Sequence, residues 1–241
     1  MTTLVAGANG ATGKQLVEQL LEMGHKVKVI VRSTNNIPDH WKNDKKISII
    51  EASILEMDLN ELKKHVADCQ AVVSCLGHNL TLKGIFGNPR KLVTDAVKML
   101  CSAIQKNSPE KPTRFVLMNT TGNRNKNLNE SRSIGEKLVI GLMRTLVPPQ
   151  SDNEKAADHL RVNIGEGNRH IDWVAVRPDA LINKDKVSEY EVFESPVRSP
   201  VFNSGKTSRI NVGNFMARLI TEDDLWNQWK GQMPVIYNKE T

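Results

Sequence analysis

Near its start the chain sets three glycines at a spacing of three and three, Gly7, Gly10 and Gly13, between a short apolar run and an amphipathic pattern. The run Leu4-Val5-Ala6 reads as a buried strand. Leu16, Val17, Leu20 and Leu21 recur at helical spacing over residues 13–23, and Gly24 follows as a stop. Each glycine has a physical task in such a strand–turn–helix unit. Gly7 permits the tight turn, Gly10 lets backbone approach a pyrophosphate, and Gly13 lets the helix pack close to the sheet. Asn9, Ala11 and Thr12 complete the turn. The open N–H groups of the helix start, at the positive end of its dipole, favour an anion there. Glycine spacing alone is a weak signal, and a tight turn without a ligand is the competing reading. The preceding strand and following helix give the signal its weight.

The rest of the chain alternates in the same way. Strand patterns fall at residues 26–32, 47–50, 71–76, 114–118, 171–176 and 234–237. Helical patterns fall at 59–66, at 89–104 with Pro89 at its start, at 131–146, at 151–163 and at 211–220. Pro148-Pro149 reads as a break between the fourth and fifth helices, 131–146 and 151–163. Alternation of this kind predicts an α/β fold, a single-domain Rossmann-type doubly wound parallel sheet over residues 1–241. Residues 182–207 are irregular, with Pro196, Pro200 and Gly205, and are expected to form a small C-terminal substrate-side segment or lid.

Composition narrows the setting. A chain of 241 residues with 39% apolar and 25% charged residues can bury a core without staples. Cys69, Cys75 and Cys101 show no C-x-x-C spacing, and an odd, sparse count suits a reducing compartment. The sequence has no signal-peptide pattern and no apolar run approaching ~18 residues, so a cytoplasmic protein without a membrane span is expected. The net charge of +6 is scattered among acids rather than gathered in a block, and the tryptophans form no stripe. Neither favours nucleic acid as a partner. No cluster has metal-ligand spacing, so no metal is expected.

The end of the second strand bears on the choice of dinucleotide. An NAD site places Asp or Glu about 20 residues on, to accept from the ribose hydroxyl. Here Arg32 stands 19 residues after Gly13, followed by Ser33, and no acid lies between Lys26 and Pro38. A guanidinium and a hydroxyl suit a 2′-phosphate, which points to NADP(H). The alternative is an arginine at a sheet edge, or one stacked on adenine that tolerates both cofactors.

Taken together, Gly7 to Gly13, Val31-Arg32-Ser33, Ala52-Ser53-Ile54-Leu55, Cys75-Leu76-Gly77, Val174-Ala175-Val176-Arg177-Pro178 and the run from Ser208 to Met216 resemble the atypical short-chain dehydrogenase/reductase superfamily. Within it the chain looks most like the NmrA-like NAD(P)-binding group, with the biliverdin-IXβ/flavin reductases as distant relatives. The resemblance implies that Ser53 and Ile54 flank the adenine and that Cys75, Leu76 and Gly77 line the ribose beside the nicotinamide. It places Asn119, Thr120 and Thr121 where a catalytic or positioning group usually ends the fifth strand. Lys155 falls where a lysine holds the nicotinamide ribose, Pro178 near the cofactor, and Asp179 at the mouth of the substrate pocket. One departure is plain. The proton-donating tyrosine expected four residues before that lysine is Ser151, which is too weak an acid to replace a phenol. Neither Tyr190 nor Tyr237 has a lysine four residues on.

Two functions remain open. One is an NADPH-dependent reductase of a small electron acceptor such as a flavin, quinone or conjugated carbonyl, with Thr121, Lys155 and Asp179 positioning the substrate. The other is a non-catalytic NADP-binding redox sensor that signals to a protein partner. His78, after Gly77, could shuttle a proton, although a histidine on a surface loop is the simpler reading. If Ser151 is not part of a relay, it is expected to cap the helix that follows Pro148-Pro149.

Overall fold

Strand β1 (Thr2–Ala6) is buried from Thr3 onward, on both of its faces. That is the environment of a central strand covered by helices on either side. In the computed structural model, which describes residues 1–78, 87–128 and 130–239 and only the backbone at 143, 145, 146 and 148, β1 pairs in parallel with β2 (Lys26–Val31) and β4 (Ala71–Ser74). Beyond β2 lies β3 (Ile47–Glu51). Beyond β4 lie β5 (Thr113–Met118) and β6 (Ile171–Pro178), all parallel. Strand β10 (Val235–Asn238) runs parallel to β6 and antiparallel to the edge strand β8 (Tyr190–Phe193). The order is therefore β3-β2-β1-β4-β5-β6-β10-β8. Winding reverses between β1 and β4, and a crevice opens there above the carboxyl ends of the strands.

Two apolar layers flank the sheet. On one face, α1 (Ala11–Glu22), α6 (Arg209–Thr221) and α7 (Asp223–Trp229) contribute Leu16, Leu20, Phe215, Leu219 and Trp226. On the other, α2 (Leu59–Val66), α3 (Leu92–Asn107) and α5 (Pro148–Asp158) contribute Leu62, Leu100, Ala156 and, just past α5, Leu160. Burying a leucine or phenylalanine completely stabilises the fold by about 1.5–3 kcal/mol. This is the expected doubly wound α/β architecture. Among the described residues, no helix is long and apolar enough to cross a membrane.

Several boundaries depart from the sequence reading. Pro148 and Pro149 open α5 instead of separating it from α4 (Ile134–Leu146), because the first turn of a helix has no use for their missing N–H groups. Ser151 consequently lies within α5 and does not cap it; the capping position is Val147. Helix α5 ends at Asp158 and passes into a π-helical turn, His159–Ile164. Helix α4 starts three residues later than its pattern, at a capping box in which the Glu136 N–H donates to Ser133 Oγ and the Ser133 N–H to Glu136 Oε2. The irregular 182–207 stretch contains β8. Its end enters β9 (Lys206–Ser208), which pairs in parallel with β7 (Ala180–Ile182).

Candidate dinucleotide cleft

A cavity of about 490 Å³ sits over the carboxyl ends of β1, β2 and β4 and the residues that follow β3. Gly7, Asn9 and Gly10 form its floor. Gly7 has φ of +81°, and a Cβ there would lie 2.7 Å from the Cys75 carbonyl carbon. A Cβ on Gly13 would lie 2.3 Å from the Gly7 carbonyl oxygen. The third glycine is thus required by the turn itself. Ala11, Thr12 and Gly13 begin α1 behind the floor; Thr12 and Gly13 are buried. No side chain caps α1, and no acid stands in its first turn. The Asn9 side-chain oxygen is buried without a hydrogen-bond partner. A glycine floor that excludes Cβ atoms, an uncapped helix start and an orphaned polar atom together fit a pyrophosphate.

At the end of β2 the wall is Arg32, Ser33 and Asn36. Ser33 Oγ accepts from the Asn35 N–H, which leaves its own proton free to donate. Arg32 is exposed and, among the described residues, makes no ion pair or hydrogen bond. The nearby Glu51 at the end of β3 accepts from Thr34 Oγ1 at 3.0 Å. Among the described residues, no Asp or Glu lines the cleft. Ala52, Ser53 and Ile54 close one side, and Cys75, Leu76 and Gly77 the other. Burial pushes the Cys75 thiol up to about 12, so this wall is uncharged at neutral pH.

The residues expected at the reacting end are placed differently. Asn119, Thr120 and Pro178 do not line this cleft. Asn119 donates to the Asn153 carbonyl at 3.1 Å and accepts from Asn123 and from the Thr120 N–H. Thr120 Oγ1 accepts from the Gly122 N–H, and the Pro178 carbonyl from the Thr121 N–H. Thr121 and Asp179 do come together: Thr121 Oγ donates to Asp179 Oδ1 at 2.9 Å, and the Gly205 N–H to Oδ2 at 2.8 Å. Burial raises the Asp179 carboxyl above its ordinary value, with both donors opposing. Lys155 does not line the cleft either. The buried residues of α5 include Gln150, Asp152, Ala156 and Ala157, whereas Lys155 is exposed. It is exposed beside Lys91, Lys98 and His159 in a separate surface depression. The helix phase turns it away from the cleft.

His78 departs from the surface-loop reading. Its side chain is 4% exposed, not on the surface, and Nε2 lies 2.8 Å from Asp152 Oδ2. Asp152 also accepts from the Val93 and Thr94 N–H groups at the start of α3. One carboxylate thus meets the His78 ring and the first two N–H groups of α3. Sequence reading passed over Asp152, although its spacing of four from Ala156 and eight from Leu160 marks the buried face of a helix. It also passed over the ion pair of Arg177 with Glu130, side chains 0% and 4% exposed. Among the described residues, no group of three or more His, Cys, Asp or Glu is placed to hold a metal ion.

Solved structures share this architecture at low sequence identity. A short-chain dehydrogenase/reductase of Veillonella parvula, in complex with NADP, superposes with a TM-score of 0.72 at 16% identity, covering 100% of this chain and 95% of that one. An anaerobilin reductase of Escherichia coli O157:H7 gives 0.69 at 13% identity over 100% and 98% of the two chains. A candidate NADH-flavin reductase of Streptococcus pneumoniae gives 0.68 at 18% over 99% and 100%. In sequence, an uncharacterized chloroplastic protein of Arabidopsis thaliana is 38% identical over 73 residues, 30% of this chain. The match spans about a quarter of that protein, 26% of its length. The profile of the NAD(P)H-binding family matches residues 7–223, from the glycine floor to the start of α7, and the chain belongs to that family.

Proposed function

We propose that this protein is an NADPH-dependent reductase of a small electron acceptor. The observation that carries the choice of cofactor is the wall at the end of β2. Among the described residues it presents Arg32 without an ion pair and Ser33 with a free proton, and no carboxylate lines the cleft to accept from a ribose 2′-hydroxyl. A 2′-phosphate meets two donors there, whereas the NAD ribose meets none of the acceptors it uses elsewhere. When bound, the reduced nicotinamide supplies a hydride. The chain's own part is to bind, orient and exclude water. The neutral wall of Cys75, Leu76 and Gly77 suits the last of these. The NADP complex of the Veillonella enzyme and the flavin and bilin chemistry named for the other two neighbours support the reading.

The reaction needs no phenol in the cleft if the acceptor takes its proton from solvent, as flavins and quinones can. Tyr190 is held on β8, its hydroxyl donating to Asn214, and Tyr237 is buried on β10. A second reading, an NADP-binding sensor of the NmrA-like type, is favoured by the position of Lys155 outside the cleft. The test is NADPH oxidation with a panel of flavins, quinones and conjugated carbonyls, alongside NADPH and NADH titrations. Turnover with any of them supports the reductase. Tight NADPH binding with no turnover across the panel supports the sensor and sinks the reductase.

A further inference from the structure

A second cavity, of about 350 Å³, lies between the 130–136 and 195–200 segments, and its lining shares no residue with the glycine cleft. Its two carboxylates are already engaged. Glu130 holds Arg177 through both oxygens, at 2.7 and 3.1 Å. Glu136 accepts from the Ser133 N–H at 2.7 Å, and its hydrogen bond from Ser199 is the main reason its carboxyl sits below the usual value.

Arg132 is different. It is half-buried in the wall, and one amino group donates to the Gly122 carbonyl at 2.9 Å and more weakly to that of Thr121 at 3.5 Å. Among the described residues it makes no ion pair. Burial, the largest influence on it, draws the guanidinium below its ordinary value. Two carbonyls fix one edge of a planar five-donor fork and leave the remaining N–H groups for another acceptor. Arg198 stands among the 195–200 residues that line the other side. The carboxylates of Glu130, Glu154 and Glu136 act on this guanidinium from beyond ion-pair distance, so the N–H groups not held by the carbonyls are left for an anion that contacts them directly.

The position matters as much as the charge. Thr121 follows β5, and its hydroxyl bonds Asp179 just after β6. Arg132 is therefore anchored at the carboxyl edge of the sheet, the edge on which the dinucleotide cleft opens. We propose that this cavity is the acceptor subsite and that Arg132 reads an anionic group, carboxylate or phosphate, on the acceptor. The proposal rests on the reductase reading for the word acceptor, and on the cavity alone for the anion.

The experiment uses the full chain saturated with NADP⁺, which fills the first cleft and prevents turnover. Two probe pairs separate the two anions: benzoate against benzamide, and flavin mononucleotide against riboflavin. At least one anionic member should bind ten-fold or more tightly than its neutral partner. Arg132→Gln should bring that pair within two-fold, and Arg132→Lys should keep part of the preference. NADP⁺ affinity should stay unchanged in both variants. Equal affinities within both pairs, or a preference that survives in folded Arg132→Gln, overturns the proposal. If Arg132→Gln does not fold, the Arg132 Nε–H resonance of the unaltered protein decides. It should move with the anionic probe and not with the neutral one, and an unmoved resonance is fatal to the idea. An acceptor that binds through Arg132 but never oxidises NADPH would leave the anion site standing and remove the reductase reading.

Discussion

At the scale of single residues, Arg32 carries the most testable claim. An exposed guanidinium without a partner costs little to keep in place, so its removal should be felt only when a phosphate meets it. Arg32→Ala should weaken NADPH by roughly 1.5–3 kcal/mol, the range for a charge-assisted hydrogen bond, and leave NADH nearly unchanged. Calorimetric titration of both cofactors measures this, and equal losses for the two would show that Arg32 reads something other than the 2′-phosphate. Arg32 was legible in the sequence because the turn from strand β2 is local, and counting from Gly13 suffices to find it. Lys155 was not. Its assignment followed the family resemblance, which marks a position along the chain, while its direction is set by which face of α5 meets the core.

Elements show the same division. The strands and the glycine turn follow from local apolar patterning, and the order β3-β2-β1-β4-β5-β6 follows from alternation of strand and helix. Helix α5 was harder to read. Two prolines look like a break until the fold puts them in a first turn, and the π-helical turn at His159–Ile164 has no sequence mark. Strand β8 is four residues long and β9 three, lengths too short for an alternating pattern to stand out. Helices α1 and α6 approach closely at Gly213, where a Cβ would sit 2.9 Å from the backbone of Gln15 in α1. Neither backbone can move aside without disturbing the layer beneath it. Gly213→Val should cost about 1–3 kcal/mol of stability, in line with overpacked cores, and lower the midpoint of thermal unfolding. An unchanged midpoint would mean that the two helices separate freely.

Across the whole molecule, the buried Arg177 ties four stretches of chain together. Besides Glu130 it donates to the carbonyls of Met233 at 2.6 Å, Asn123 at 2.9 Å and Glu194 at 3.0 Å. Glu130→Ala leaves that charge buried without its carboxylate and should destabilise the protein by about 3–5 kcal/mol in denaturant unfolding. A loss below about 1 kcal/mol would mean that the three carbonyls suffice without a counter-charge. Asp179 gives the molecule a dependence on pH. Its raised carboxyl binds a proton more tightly in the folded chain than in the unfolded one, across the interval from about 4 up to the raised value. This contribution to stability therefore falls as pH rises through that interval. Asp179→Asn removes the slope. The stability of the variant minus that of the unaltered protein should increase from about pH 3 upward through the carboxylate range. A difference that shrinks instead would reject the assignment.

The carboxylate of Asp152 has a consequence in time. It serves the first turn of α3 from 58 and 59 positions further along the chain, because Lys91 at the helix start offers no side-chain acceptor. During synthesis α3 leaves the ribosome long before that acceptor exists. The helix start and His78 acquire their shared partner only when α5 emerges, so this part of the cleft's surroundings is completed by translation of the second half of the sheet.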